Sequence, residues 1–239
     1  MTHWLIRLVG DQTWLERLSR RTCTEGYEVA KEGNDYFYRA DDLDRLADPR
    51  DVQRAAEEQI RRLRGMLWIK YGADGELNVG EVRRVAHDGT GTVDAFVTGT
   101  IRARAIVSAA LRDGAADGAE APPADDFGRW YGMAQQSDAV AKVLRLMESQ
   151  PDWVDLVRIR EVVDEDLPHG QTVVKAKWVS RTKLEALEHT ANSPAAVEDE
   201  ARHGVQKNTP PTRPMSFAEA TAIIKHIVQS WLAAKDASA

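Results

Sequence analysis

The chain has 239 residues, of which 43% are hydrophobic and 29% charged, with a net charge of −6. This composition excludes a disordered or fibrous polypeptide. No apolar run approaches the roughly 18 residues that read as a membrane-spanning helix. The single cysteine, Cys23, excludes an intrachain disulfide and a cysteine-rich zinc site and fits a reducing compartment.

The start, "MTHWLIRLVGDQTW", lacks the basic region and long apolar run of a signal peptide, so a cytoplasmic protein is expected. Richness in Ala, Arg and Asp with little Lys points to a GC-rich bacterial genome. Residues 1–124 carry 18 Lys and Arg against 21 Asp and Glu, and the remainder 14 against 17. Neither half is the positive domain that nucleic-acid binders usually present, so any RNA-binding surface has to be local.

"MTHWLIRLVG" predicts a strand and "DQTWLERLSRRT" a helix, with Asp11 as N-cap and Trp14, Leu15 and Leu18 at helical spacing. "GYEVAKEGNDYFYRA" predicts two strands around the turn "EGND". A longer helix is expected from Pro49 to Arg64, with Asp48 and Pro49 as N-cap and N1, an apolar stripe through Val52, Ala55, Ala56, Ile60 and Leu63, and a stop at Gly65. Three strand-like runs follow: "MLWIKYG", "ELNVGEVRRVAHD" and "TVDAFVTGTIRARAIV". In the last, Val93, Ala95, Val97, Ile101 and Ala103 alternate with Asp94, Thr98, Thr100, Arg102 and Arg104, the pattern of an antiparallel sheet with one wet face. The fold class is therefore α+β, with an N-terminal antiparallel sheet and two helices over residues 1–110.

Residues 111–128, "LRDGAADGAEAPPADDFG", read as the linker to an all-α bundle over 129–239. Strand signals nearly vanish there, apart from "TVVKAKWV". Helices are expected in "SDAVAKVLRLMES", capped by Ser137; in "PDWVDLVRIREVVDED"; in "SRTKLEALEHTA", capped by Ser180; and in "SFAEATAIIKHIVQSWLAAK", opened by the capping box Ser216 to Glu219. Short connections favour a bundle.

The stretch "NSPAAVEDEARHGVQKNTPPTRPMSF", residues 192–217, carries the candidate chemistry. Ser193 and Pro194 mark a helix start and Gly204 its end, so "PAAVEDEARH" reads as a short helix. On it Glu198 precedes Arg202 by four residues and Asp199 precedes His203 by four, each pair suited to an ion pair at the C-terminal end. One reading is a charge-complementary capped helix followed by a stiff connector. The other assigns His203 as general acid or base and Arg202 to a phosphate or its developing charge, enough to cleave a phosphodiester without metal.

"EARHG", a polar loop and "SFAEATAIIKHIVQSWL" resemble the end of HEPN domains, helical bundles common in prokaryotic toxins and phage-defence proteins. The resemblance covers residues 128–235. It implies a component that recognises RNA, cleaves it without metal, and works as a dimer. Arg202 and His203 would be catalytic, with Asn192 as an auxiliary polar group. Catalytic members place four to six residues between Arg and His. Here Arg202 and His203 are adjacent, and seven residues separate Arg181 from His189. That departure keeps open a non-enzymatic module that oligomerises or docks a partner protein.

Arg129, Trp130 and Tyr131, with Arg102 and Arg104, are candidate substrate-binding residues, since aromatic rings beside Arg can stack on bases. Packing between domains is the competing role of "FGRWYGM". Arg61, Arg62 and Arg64, with Arg83 and Arg84, form the remaining basic candidates. His169 near Glu165 and Asp166 lacks signalled third and fourth ligands for a metal. His87 reads as a turn residue and His226 as a surface one. No hydrolase elbow, dinucleotide fingerprint, phosphate loop or zincin motif is present, so no cofactor and no metal are expected.

Overall fold

The computed structural model describes residues 2–20, 26–72, 75–86, 91–94, 126–148, 151–206 and 208–238. The chain forms two compact units: Met1–Ala56 with Asn78–Asp126, and Glu57–Leu77 with Phe127–Ala239.

The first unit holds β1 (Thr2–Gly10), α1 (Gln12–Ser19), β2 (Tyr27–Glu32), β3 (Asp35–Ala40), the first turns of α2 (Pro49–Tyr71), most of β4 (Leu77–Ala86) and β5 (Gly91–Asp94). The sheet order is β2-β3-β1-β4-β5. β3 lies between β1 and β2, which α1 connects in a split β-α-β arrangement. Pairs β1·β3, β2·β3 and β4·β5 are antiparallel. Registers Ile6↔Tyr38, Val29↔Tyr38 and Tyr27↔Ala40 bring alternate residues onto one face. There Trp4, Ile6, Leu8, Tyr27, Val29, Tyr36 and Tyr38 are buried, together with Trp14, Leu15 and Leu18 of α1. Asp11 caps α1 as expected, accepting from the Thr13 and Trp14 amides. The "EGND" hairpin turn forms, with Gly33 at φ 62°. β5 matches the start of the predicted "TVDAFVTGTIRARAIV" strand, and the rest of that run lies outside the described residues.

Helix α2 overturns two expectations. It does not stop at Gly65, and "MLWIKYG" is no strand: the helix continues to Tyr71 and ends at Gly72, whose N–H donates to the Trp68 carbonyl at φ 63°. Met66, Leu67 and Ile69 are fully buried, so the apolar run is the core face of a helix. Gly65 serves another purpose. A Cβ built there would meet the backbone of Leu144, 2.8 Å from its carbonyl carbon and closer still to its oxygen.

The second unit adds α3 (Asp126–Gln136), α4 (Asp138–Leu146), α5 (Trp153–Asp166), α6 (Arg181–Ala191), the single turn α7 (Pro194–Val197) and α8 (Phe217–Asp236) to the later part of α2. α5 is central and packs on α4, α6 and α8. Ser137, Asp152, Ser180 and Ser216 each accept an amide hydrogen bond at a helix start, which fixes where α4, α5, α6 and α8 begin. α8 also closes the end of α2: Gln229 donates to the Ile69 carbonyl at 3.1 Å, and the Lys225 ammonium lies against Gly72. At the far end of α8, Asp166 accepts from the Trp231 indole (2.9 Å) and Lys235 (2.7 Å).

"TVVKAKWV" forms turns and no strand. The Thr172, Val173 and Val174 carbonyls accept from Ala176, Trp178 and Lys177 in turn, and Val173 and Val179 are buried. Its apolar character thus anchors a turn. Of the expected linker, Asp126–Gly128 open α3, and residues before 126 lie outside the described ones.

Candidate functional site

The Arg202–His203 pair does not end a helix. α7 stops at Val197, a short turn covers Glu198–Glu200, and residues 201–205 bend along the surface. Ser193 makes no side-chain cap. It is buried at 1% exposure, and its hydroxyl donates to Gln206 Oε1 at 2.9 Å. Glu198 takes φ 53° and breaks the helical path, a conformation unfavourable for a non-glycine residue. The expected four-residue pairs Glu198–Arg202 and Asp199–His203 therefore lose the geometry that would have joined them.

What holds Arg202 is tertiary. Its N–H donates to the Ala191 carbonyl at the end of α6 (2.8 Å), and its guanidinium pairs with Glu161 of α5 at 2.9 Å. Gln206 fixes the other side of the corner, accepting from Ser193 Oγ and the Ala195 amide and donating to the Asn208 carbonyl. His189 Nε2 sits 2.7 Å from the Thr209 carbonyl. Further along, buried Thr190 accepts from the Met215 amide at 3.0 Å and donates to the Ala186 carbonyl. The connector is thus fastened to α6 at successive points before α8 begins.

His203 is exposed, and so is Val205, at 69%. Asn192 caps the C-terminus of α6, and its side-chain oxygen is buried with no hydrogen-bond partner. No hydrogen bond joins Asn192 to His203 among the described residues. The surroundings are acidic. Exposed Glu198, Asp199 and Glu200 open the corner, Glu161 neutralises Arg202, and Arg160 is shared by Asp164 and Glu188.

The candidate substrate-binding residues fall elsewhere. Trp130 (9% exposed) stacks on Phe127 at 5.9 Å and Tyr131 (2%) is buried, so neither ring offers a free face to a base. Arg129 pairs with Asp236 at 3.3 Å. Arg102, Arg104, His87 and Cys23 lie outside the described residues.

The other basic candidates are engaged. Glu148 receives two bonds from Arg61 (2.7 and 2.8 Å) and one from Arg64 (3.0 Å). Burial pushes the Glu148 carboxyl up, but the Arg61 hydrogen bond and the charges of Arg64 and Arg61 outweigh it and hold it below its ordinary value. Arg62 pairs with Glu58, Arg83 with Glu81, and Arg84 lies over the Trp4 ring. His169 and His226 are exposed. No group of three or more His, Cys, Asp or Glu among the described residues could hold a metal ion.

Sequence reasoning missed Glu161, Thr190 and Gln206. Glu161 lies on α5, 41 positions before its partner, so no local spacing could signal it. Compared with known proteins, the chain matches no family model, no curated protein and no solved structure.

Proposed function

We propose that the helical unit is a non-enzymatic interaction module that meets a protein, a second copy of itself or a different subunit, through the corner Glu198–Gln206. One observation carries this reading: the corner is fastened by Arg202 and Gln206 while His203 and Val205 are left facing outward. A surface segment held against the entropy that would otherwise let it sample many shapes is suited to recognition. Its acid-rich flanks favour a basic partner surface and oppose an RNA phosphate. In this reading Arg202 positions the corner and does not bind substrate.

A second reading keeps the RNA-cleaving, phage-defence or toxin role that the HEPN resemblance implies. It draws on the exposed His203 ring standing beside a fixed Arg202, and it requires Arg202 to exchange Glu161 for phosphate. One experiment separates the two. Benzoylphenylalanine is placed at Val205 in the producing cell and the photo-adduct is sized and sequenced. In parallel, purified wild type, Arg202→Ala and His203→Ala are incubated with labelled RNA in EDTA. The interaction reading expects a protein adduct and intact RNA. Cleavage by the wild type alone would replace it with the ribonuclease reading.

A further inference from the structure

Between Leu167 and Leu184 the chain carries no acidic residue, yet it holds His169, Lys175, Lys177, Arg181 and Lys183. Residues 172–178 fold into the tight turn described above, and Ser180 starts α6 immediately after it. Four cations are thus concentrated in one turn and the first turn of one helix. Lys175 donates to the Gly170 carbonyl. Lys177, Arg181 and Lys183 are exposed, and their side chains make no hydrogen bond or ion pair among the described residues. The contrast with Arg61, Arg64, Arg83, Arg160 and Arg202, each matched to a carboxylate, is plain.

Local backbone physics argues for other residues at all three positions. Lys177 takes φ 63°, which glycine or asparagine adopts with less strain. Arg181 and Lys183 stand in the first turn of α6, where the helix dipole favours acids, and no acid is there. Neither the turn nor the helix is more stable for these cations, which leaves their charge as their use. Trp178, half-buried, follows Lys177 directly.

We infer that the turn Lys175–Lys183 binds single-stranded nucleic acid. Phosphates meet the unpaired ammonium and guanidinium groups, and the half-buried Trp178 indole beside them supplies an aromatic ring for a base to stack on. An acidic peptide would leave the indole without a stacking partner. A membrane would ask for apolar anchors, and none of the large exposed hydrophobics among the described residues belongs to this turn. The inference stands apart from the corner Glu198–Gln206.

The test is fluorescence anisotropy of a labelled oligouridine with the full chain, between about 50 and 200 mM salt. Three proteins are compared: wild type, the triple variant Lys177→Ala/Arg181→Ala/Lys183→Ala, and a control of equal net charge, Arg20→Ala/Arg54→Ala/Arg158→Ala. The triple variant should bind at least about tenfold more weakly, and its slope of log Kd against log salt should fall by about 2, at roughly 0.7 per lost phosphate contact. The control and Val205→Asp should bind as wild type does. Trp178→Phe should retain binding that Trp178→Leu weakens, with circular dichroism confirming the fold of each. The inference is overturned if the wild type does not bind, if the control loses as much as the triple variant, or if duplex RNA or phosphatidylglycerol vesicles bind more tightly than oligouridine.

Discussion

Gly65 of α2 and Leu144 of α4 pack backbone against backbone, with room for no side chain between them. Two effects compete in Gly65→Ala. Helix propensity favours alanine by about 1 kcal/mol, whereas overpacking costs about 1–3 kcal/mol or more. The obstructing atoms belong to a helix backbone and cannot rotate aside, so the clash wins. Urea denaturation should show a net loss of about 2 kcal/mol; a raised midpoint would mean that the two helices separate without cost.

Acid should weaken the second unit through Glu148. Arg61 and Arg64 hold its folded-state carboxyl below the ordinary value of 4.5. Its stabilisation is therefore complete above the unfolded value and lost as pH falls through the lower folded one. Glu148→Gln should lose about 1–3 kcal/mol at neutral pH, since charged hydrogen bonds are broken. The gap between the two proteins should close under acid. A gap constant with pH would contradict the assignment.

Thr190→Val keeps the shape of a fully buried side chain but removes the acceptor for the Met215 amide. An unsatisfied buried amide costs about 1–3 kcal/mol. Hydrogen exchange at Met215 should accelerate together with that loss. Unchanged exchange would show that Thr190 does not fasten the connector.

Arg202 and Glu161 are each more than a third exposed along their side chains, at 35% and 40%. Exposed pairs of this kind are worth about 0–1 kcal/mol. A double-mutant cycle with Arg202→Ala and Glu161→Gln should give a coupling within that range and leave the melting temperature nearly unchanged. Any loss of association or RNA cleavage in Arg202→Ala then reports on the corner and not on folding. A coupling of several kcal/mol would instead make the pair a structural clasp.

Much of the secondary structure was legible because local chemistry sets it. Asp11, Ser137, Ser180 and Ser216 each cap the helix that their position announced. "EGND" forms its hairpin, and of the expected stripe Val52, Ala56, Ile60 and Leu63 are buried while Ala55 is half-buried. Two of the errors share one cause: a residue type with two uses. Gly65 resembled a helix stop and is a point of close approach, while Gly72 is the stop. "TVVKAKWV" had the apolar content of a strand and folds as a turn with two buried valines.

The sequence by itself determined the α+β class, the starts of α1, α2, α4, α6 and α8 and the order of most elements, because capping, side-chain periodicity and turn preference act over a few residues; α3, which begins inside the expected linker, was not among the expected helices. Only the tertiary structure decided what Arg202 touches, that Trp130 and Tyr131 are buried, and that the later part of α2 belongs with the helical unit. These outcomes depend on groups far apart in the chain, as with Arg202 and Glu161 or Gln229 and the Ile69 carbonyl. Spacing along one helix proposed Glu198 as the partner of Arg202, but packing of α5 against α6 brought Glu161 to it instead.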